Sequence, residues 1–204
     1  MKRPSSRWGY FTVILVISIL LSYLPEKLTV LQSWTLPLLV VCMIVALIIS
    51  ILHRHHEWIR TFAIITNSVV MLGLISSVVI LLHQLFTHVA NADELFGSAL
   101  VLWVTNIFVF SVWYWEIDRG GPNARNEKQE RLPDFLFPQM THEDFKSWNP
   151  AFFDYLFLAF NTNTAFSPTD TLVLSKTAKV LTMMQASISL VIVAVLAARA
   201  INIA

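Results

Sequence analysis

The stretch AFNTNTAFSPTD, Ala159–Asp170, places Thr162, Asn163, Thr164 and Asp170 between two apolar segments near the end of the chain. Polar side chains are costly in hydrocarbon, and those that persist there face protein, water or a substrate path. The stretch therefore either lies outside a bilayer or lines something within one. A second polar set, Thr182, Gln185 and Ser189, sits inside the last apolar run. Its spacings of three and four put the three residues on one face of a helix. That face serves either as a packing interface or as the lining of a pore. Asn67 and Asn106 are further amides inside apolar runs, and Ala194 with Ala198 forms a small-xxx-small pair.

Other chemistry is sparse. His53, His55 and His56 stand beside Glu57 in HRHHEW. Zinc wants three or four converging N, S or O ligands, whereas titratable residues at a membrane surface are ordinarily solvated, so no metal is assigned. The sequence has no phosphate-binding glycine loop, no nucleophilic serine elbow and no H-E-x-x-H pattern. Neither an enzyme nor a cofactor is expected.

The elements that must position these residues are membrane helices. Of 204 residues, 56% are hydrophobic and 13% charged, against roughly 25% charged in a soluble domain. Mean hydropathy is +0.64. The net charge of +1 gives no basis for nucleic-acid binding, and the single cysteine, Cys42, excludes an internal disulfide framework. Five runs approach the roughly 20 apolar residues that a bilayer crossing needs: 9–24, 29–52 with a kink expected at Pro37, 61–86, 95–115 and 178–203. The expected fold class is all-α, a polytopic transmembrane bundle of five to six segments with a re-entrant half-helix as one option. The N-terminal run lacks a small-x-small cleavage site before Pro25 and reads as an uncleaved first helix.

Basic residues set the expected orientation. Lys2, Arg3 and Arg7, then Arg54 and Arg60, then Arg119, Arg125, Lys128, Arg131 and Lys146 fall in alternate connections. The N-terminus, the HRHHEWIR turn and the long fourth loop are therefore assigned to the cytoplasm, in a multi-pass cell membrane of the bacterial inner-membrane type. Trp8, Trp34, Trp58, Trp113, Tyr114 and Trp115 fall near expected helix ends, as an aromatic belt would. Three regions result: a four-helix part (1–116), a cytoplasmic or interfacial loop (117–150) and a C-terminal part (151–204). In the loop, PDFLFPQM is too short to span and is expected to rest on headgroups or on the bundle. Asn149 is expected to cap a helix with Pro150 at its first position and Asp154 in its first turn. Only about ten residues then precede Asn161, a half-span unless the polar stretch also enters the membrane. An ordinary crossing over 147–166 and an interfacial helix are the other options.

A short helix, a threonine-rich turn ending in Asp and a long apolar helix resemble the two-helix pore module of potassium channels. That family's filter reads T-x-T-T-V-G-Y-G-D. Phe160, Thr162, Thr164, Ala165 and Asp170 stand in comparable places, with Lys179 at the start of the last helix. The resemblance covers residues 151–204 and implies filter-like roles for Thr162, Asn163, Thr164, Ala165, Phe166 and Asp170, with a homo-tetramer as the assembly. Phe166, Ser167 and Pro168 replace Gly-Tyr-Gly. The backbone carbonyls that strip potassium of its water are therefore not retained. The chain is also similar to an uncharacterised family of small bacterial membrane proteins, which implies no activity.

Two functions follow as expectations. One is an oligomeric, channel-like pore former for cations without potassium selectivity, in which Thr162 and Thr164 line a water-filled path. The other is a non-conducting membrane scaffold whose loop binds a partner.

Overall fold

The computed structural model describes residues 8–29, 38, 41, 45, 56–87, 91–126, 132–145 and 148–203. The protein is mostly helical. We number its helices α1 (Trp8–Ser22), α2 (His56–Thr87), α3 (Ala92–Ile117), α4 (Pro122–Asn126), α5 (Phe152–Ala165) and α6 (Lys176–Ile203). Among the described residues, Arg60–Thr87, Asp93–Gly120 and Lys176–Ala200 are long and apolar enough to cross a membrane. The 15 residues of α1 rise only about 22 Å, short of the expected first span. Most of the expected second span, with Pro37 and Cys42, lies outside the described residues, as do His53 and His55. Leu38, Val41 and Val45 within it are helical.

Helix α3 is the centre of the bundle and touches α1, α2, α5 and α6. Its span is 61% buried, against 44% for α2 and 33% for α6. Residues buried around its circumference explain this, among them Leu95, Ala99, Leu102, Thr105, Asn106, Val109 and Phe110. Helices that are apolar all round belong inside a bundle. One end of the bundle is tied by polar side chains that satisfy backbone groups. Gln84 Nε2 donates to the Lys27 carbonyl at 2.7 Å, and Arg199 Nη2 donates to the Leu85 carbonyl at 3.4 Å in the last turn of α2.

At the other end, α3 stops in a turn where Arg119, Gly120 and Gly121 all have positive φ. Gly121 permits this because an added Cβ would sit 3.0 Å from the Glu116 carbonyl oxygen. The chain then forms α4 and returns as a two-residue strand β1 (Phe135–Leu136), paired antiparallel with β2 (Leu172–Val173). Residues 127–131 of the charged run lie outside the description. PDFLFPQM thus rests on the bundle. Phe135 and Phe137 are buried and pack edge-on against Tyr155 at 6.4 and 5.3 Å between ring centres.

Two local expectations change. Tyr114 and Trp115 are buried rather than in a belt; Tyr114 packs edge-on against Phe135 and Trp115 against Phe152. Helix α5 starts at Phe152 with Ala151 as its cap, not Asn149. The reason is Asp154, whose carboxylate accepts from the Ala151 N–H at 2.7 Å and so satisfies the backbone where the helix begins. Acidic groups are also buried at the end of α3: Glu116 and Asp118 are 1% and 0% exposed.

Asp118 explains how the loop is held. Its Oδ1 accepts from the Asp134 and Phe135 N–H groups at 2.8 and 3.4 Å, and its Oδ2 accepts from the Tyr155 hydroxyl at 2.6 Å. Asp134 in turn accepts through its carbonyl from Leu174 N–H at 2.9 Å. Arg125 Nη1 donates to the Trp115 and Asp118 carbonyls at the end of the helix. Its guanidinium also lies 5.2 Å from the Tyr155 ring centre. One buried carboxylate therefore joins α3, β1 and the start of α5. Asp118→Ala, which leaves three donors unpaired, is expected to cost about 3 kcal/mol of stability, and Tyr155→Phe about 1 kcal/mol. Thermal unfolding in detergent measures both; equal losses would contradict this arrangement.

Candidate functional site

The candidate site is the C-terminal hairpin, α5 and the return to α6, set against α3. Helix α5 runs antiparallel to α3: Phe152 packs on Trp115, Phe160 on Trp103, and Asn163 meets Asn106. Helix α6 also runs antiparallel to α3, and so α5 and α6 run in the same direction. Two hydrogen bonds fix this. Gln185 Nε2 donates to the Ala159 carbonyl at 2.8 Å, and Ser189 Oγ donates to the Asn163 carbonyl at 2.6 Å. Both join residues 26 apart in sequence, a constant offset that only parallel neighbours keep.

The offset dictates the path of the chain. Continued along the pair, it sets Ala165 level with residue 191 of α6, yet α6 begins at Lys176. Residues 166–175 therefore climb back by about 22 Å, at 1.5 Å of rise per helical residue. An ordinary crossing would leave α5 antiparallel to its successor, and that is not the observed geometry. The hairpin goes in as a helix, stops near the middle of α3 and α6, and returns through the bends and turn of 166–171 to the β1–β2 ladder. Two bends steer the return. Phe166 ends α5 in the left-handed conformation at φ 55°, and Thr169 follows at φ 56°, a region costly for a β-branched residue.

A cluster of amides and hydroxyls holds the tip of α5. Asn106 Nδ2 donates to Asn163 Oδ1 at 2.6 Å and to the Gln185 carbonyl at 3.3 Å. Asn163 Nδ2 donates to the Trp103 carbonyl at 3.3 Å, and the Tyr114 hydroxyl donates to Gln185 Oε1 at 2.5 Å. The Asn163 carbonyl belongs to the last turn of α5, where no later helical N–H remains to bond it. Ser189 fills that vacancy from the next helix. Buried polar groups are stable when each finds its partner, and Gln185 and Asn163 do so through both ends of their amides.

The expected site residues divide accordingly. Gln185 and Ser189 are fully buried and Thr182 is 8% exposed, so the three face the bundle, where Gln185 and Ser189 reach across to α5. The Thr182 hydroxyl instead returns to its own helix at Lys179. Thr162 and Asn163 are 1% and 0% exposed and belong to the bundle contact as well; Thr162 donates to the Leu158 carbonyl. Thr164, Ala165, Phe166 and Asp170 are exposed, together with Ser167 and Thr169. The water-facing path expected for both Thr162 and Thr164 is therefore open only to Thr164 and the residues after it.

Reading the sequence missed Asp118, Tyr114 and Asn106 as parts of this arrangement. Asp118 carried a signal, an acidic residue immediately before Arg-Gly-Gly-Pro at a helix end. Tyr114 carried none that separates it from a belt residue. Among the described residues no group of three His, Cys, Asp or Glu side chains gathers as metal ligands would. The HRHHEW cluster lies outside the described side chains. Comparison with protein families, curated proteins and solved structures finds no match to this chain.

Replacing Gln185 with Leu leaves the Tyr114 hydroxyl without its acceptor and the Ala159 carbonyl without the Gln185 donor. It is expected to lower stability by about 1–2 kcal/mol. A double-mutant cycle between Asn106→Ala and Asn163→Ala should return a coupling of about 0.6 kcal/mol or more. Additive losses would mean that the two amides do not depend on each other.

Proposed function

We propose that this protein is a multi-pass membrane protein that forms an oligomeric, channel-like pore for small cations, with residues 152–175 as a re-entrant hairpin. The observation that carries the reading is the parallel run of α5 and α6. On this reading a half-length helix directed at the middle of two long apolar helices, followed by a non-helical return, exposes backbone and polar side chains at membrane depth. Such backbone survives in a bilayer only against protein or a water-filled cavity. Thr164, Ser167 and Thr169 supply hydroxyls along the return, and Asp170 a carboxylate, a lining that suits cations. Without a Gly-Tyr-Gly element the lining gives no preference for potassium.

Charge distribution sets the direction of entry. Among the described residues, Lys27 and Arg199 belong to the end of the bundle where Gln84 meets Lys27, whereas Arg60, Arg119, Arg125, Lys176 and Lys179 fall at the end where α5 begins. By the positive-inside bias that end is cytoplasmic, so the hairpin enters from the cytoplasm and the N-terminus lies there too. The potassium-channel module enters from outside; here the same layout is inverted.

The test is chemical access and flux. In a Cys42→Ser background, single cysteines at Thr164, Ser167 and Thr169 should react with a charged thiol reagent added from the cytoplasmic side only. A cysteine at Thr162 or Asn163 should stay unreactive. Protein in liposomes should pass sodium and potassium at similar rates. Tight liposomes with an unreactive Thr164 would end the pore reading and leave a non-conducting scaffold.

A further inference from the structure

The exposed polar return defines one side of the molecule. Around the central α3 the contacts run from α2 to α6 and from α6 to α5, with α5 returning to α3. The α5–α6 sector, which carries residues 164–170, therefore lies between two apolar depressions. One, of about 390 Å³, lies between α2 and α6 and is lined by Ile75, Met183, Met184 and Ile188. The other, of about 480 Å³, lies between α3 and α5 beside Trp103, Ile107, Phe157 and Phe160. Beside the second stands a ridge, Phe153, Phe157 and Phe160, exposed at 72%, 51% and 46%. Their spacing of four and three makes one stripe of α5, and the next position along it is Thr164. Met183, on the other side of the sector, is 69% exposed.

Thr164, Ser167, Thr169 and Asp170 are exposed; on the pore reading a single copy would leave them against hydrocarbon, where polar groups and a carboxylate are costly. On that reading one subunit supplies one wall of an aqueous path, and the path is incomplete without others. Resting on the pore reading above, we propose that a second copy of this chain covers the two flanks head to tail. The phenylalanine ridge of α5 in one copy seats in the methionine-lined groove between α2 and α6 of the next. The two surfaces differ, so the contact is heterologous, and repetition about an axis closes a ring with the α5–α6 sectors facing inward. Methionine suits the receiving side, because its flexible thioether packs favourably at aromatic edges. The small exposed residues Ser187 and Ala194 on α6 allow the neighbouring helix to approach closely.

Cysteine pairing decides this. In a Cys42→Ser background, Phe157→Cys and Met183→Cys are prepared separately and together in membranes and treated with a mild oxidant. The double variant should give a ladder of linked species ending at the ring size. A coexpressed pair of single variants should give linked dimers only, and each single variant alone should stay unlinked. A strong dimer from Phe157→Cys alone would mean a two-fold contact between identical faces and would overturn the proposal. So would the absence of any link together with a monomeric mass for the unmodified protein in detergent. Should the double variant fail to accumulate, Phe160→Cys with Ile188→Cys repeats the test on the same two surfaces, with the same outcomes. A ladder with tight liposomes would end the pore reading and leave this interface standing; conducting liposomes without a ladder would do the reverse.

Discussion

Two hydrogen bonds to backbone carbonyls, from Gln185 to Ala159 and from Ser189 to Asn163, set the architecture of the C-terminal third. They lock α5 beside α6 in the same direction, and every feature of the return follows. A parallel neighbour 26 residues away leaves the intervening chain to travel back along the helix it has just completed. The price is two non-glycine residues in left-handed conformations, Phe166 and Thr169. The compensation is local and polar: Asn106, Asn163, Tyr114 and Gln185 bond to one another across three helices. In a bilayer the gain of each such bond is modest. Their joint effect is geometric, because the amides fit together in only one register.

The other end of the hairpin is held by a different kind of interaction. Asp118 accepts two backbone N–H groups and one phenol, a donor set that its two acceptor oxygens accommodate. Tyr155 is in the first turns of α5, and β1 pairs with β2 just before α6. The entrance and the exit of the hairpin are thus fastened to the same residue at the end of α3. The tip is held by amides in the middle of the bundle, and the base by a carboxylate at its end.

Much of this was legible in the sequence, and what was not has physical reasons. The long apolar runs that became α2, α3 and α6 announce themselves, because nothing but burial in lipid or protein explains them. The common face of Thr182, Gln185 and Ser189 was also readable from helical spacing. The direction of α5 was not. Phe152–Ala165 has the same composition whether it crosses a membrane or enters and turns back, and only its partners on α6 decide. Burial of Thr162 beside exposure of Thr164 was likewise hidden, because both fit a threonine-rich turn until the helix is known to continue to Ala165. Asn149-Pro150 looked like a helix start, but Asp154 gave the Ala151 N–H a better acceptor. Asp118 was passed over because it falls just beyond the last apolar residues, where an acidic group is ordinarily solvated.

The central claim is that the chain turns back within the bundle between α5 and α6, so that α6 is an odd-numbered crossing after the long loop. A reporter fused after Ala204, compared with one fused after Arg125, tests this most directly. A hairpin that re-enters and returns places the two reporters on opposite sides of the membrane, with Arg125 cytoplasmic and Ala204 outside. Both reporters on the same side would mean that 152–165 crosses the bilayer, and would contradict the re-entrant hairpin.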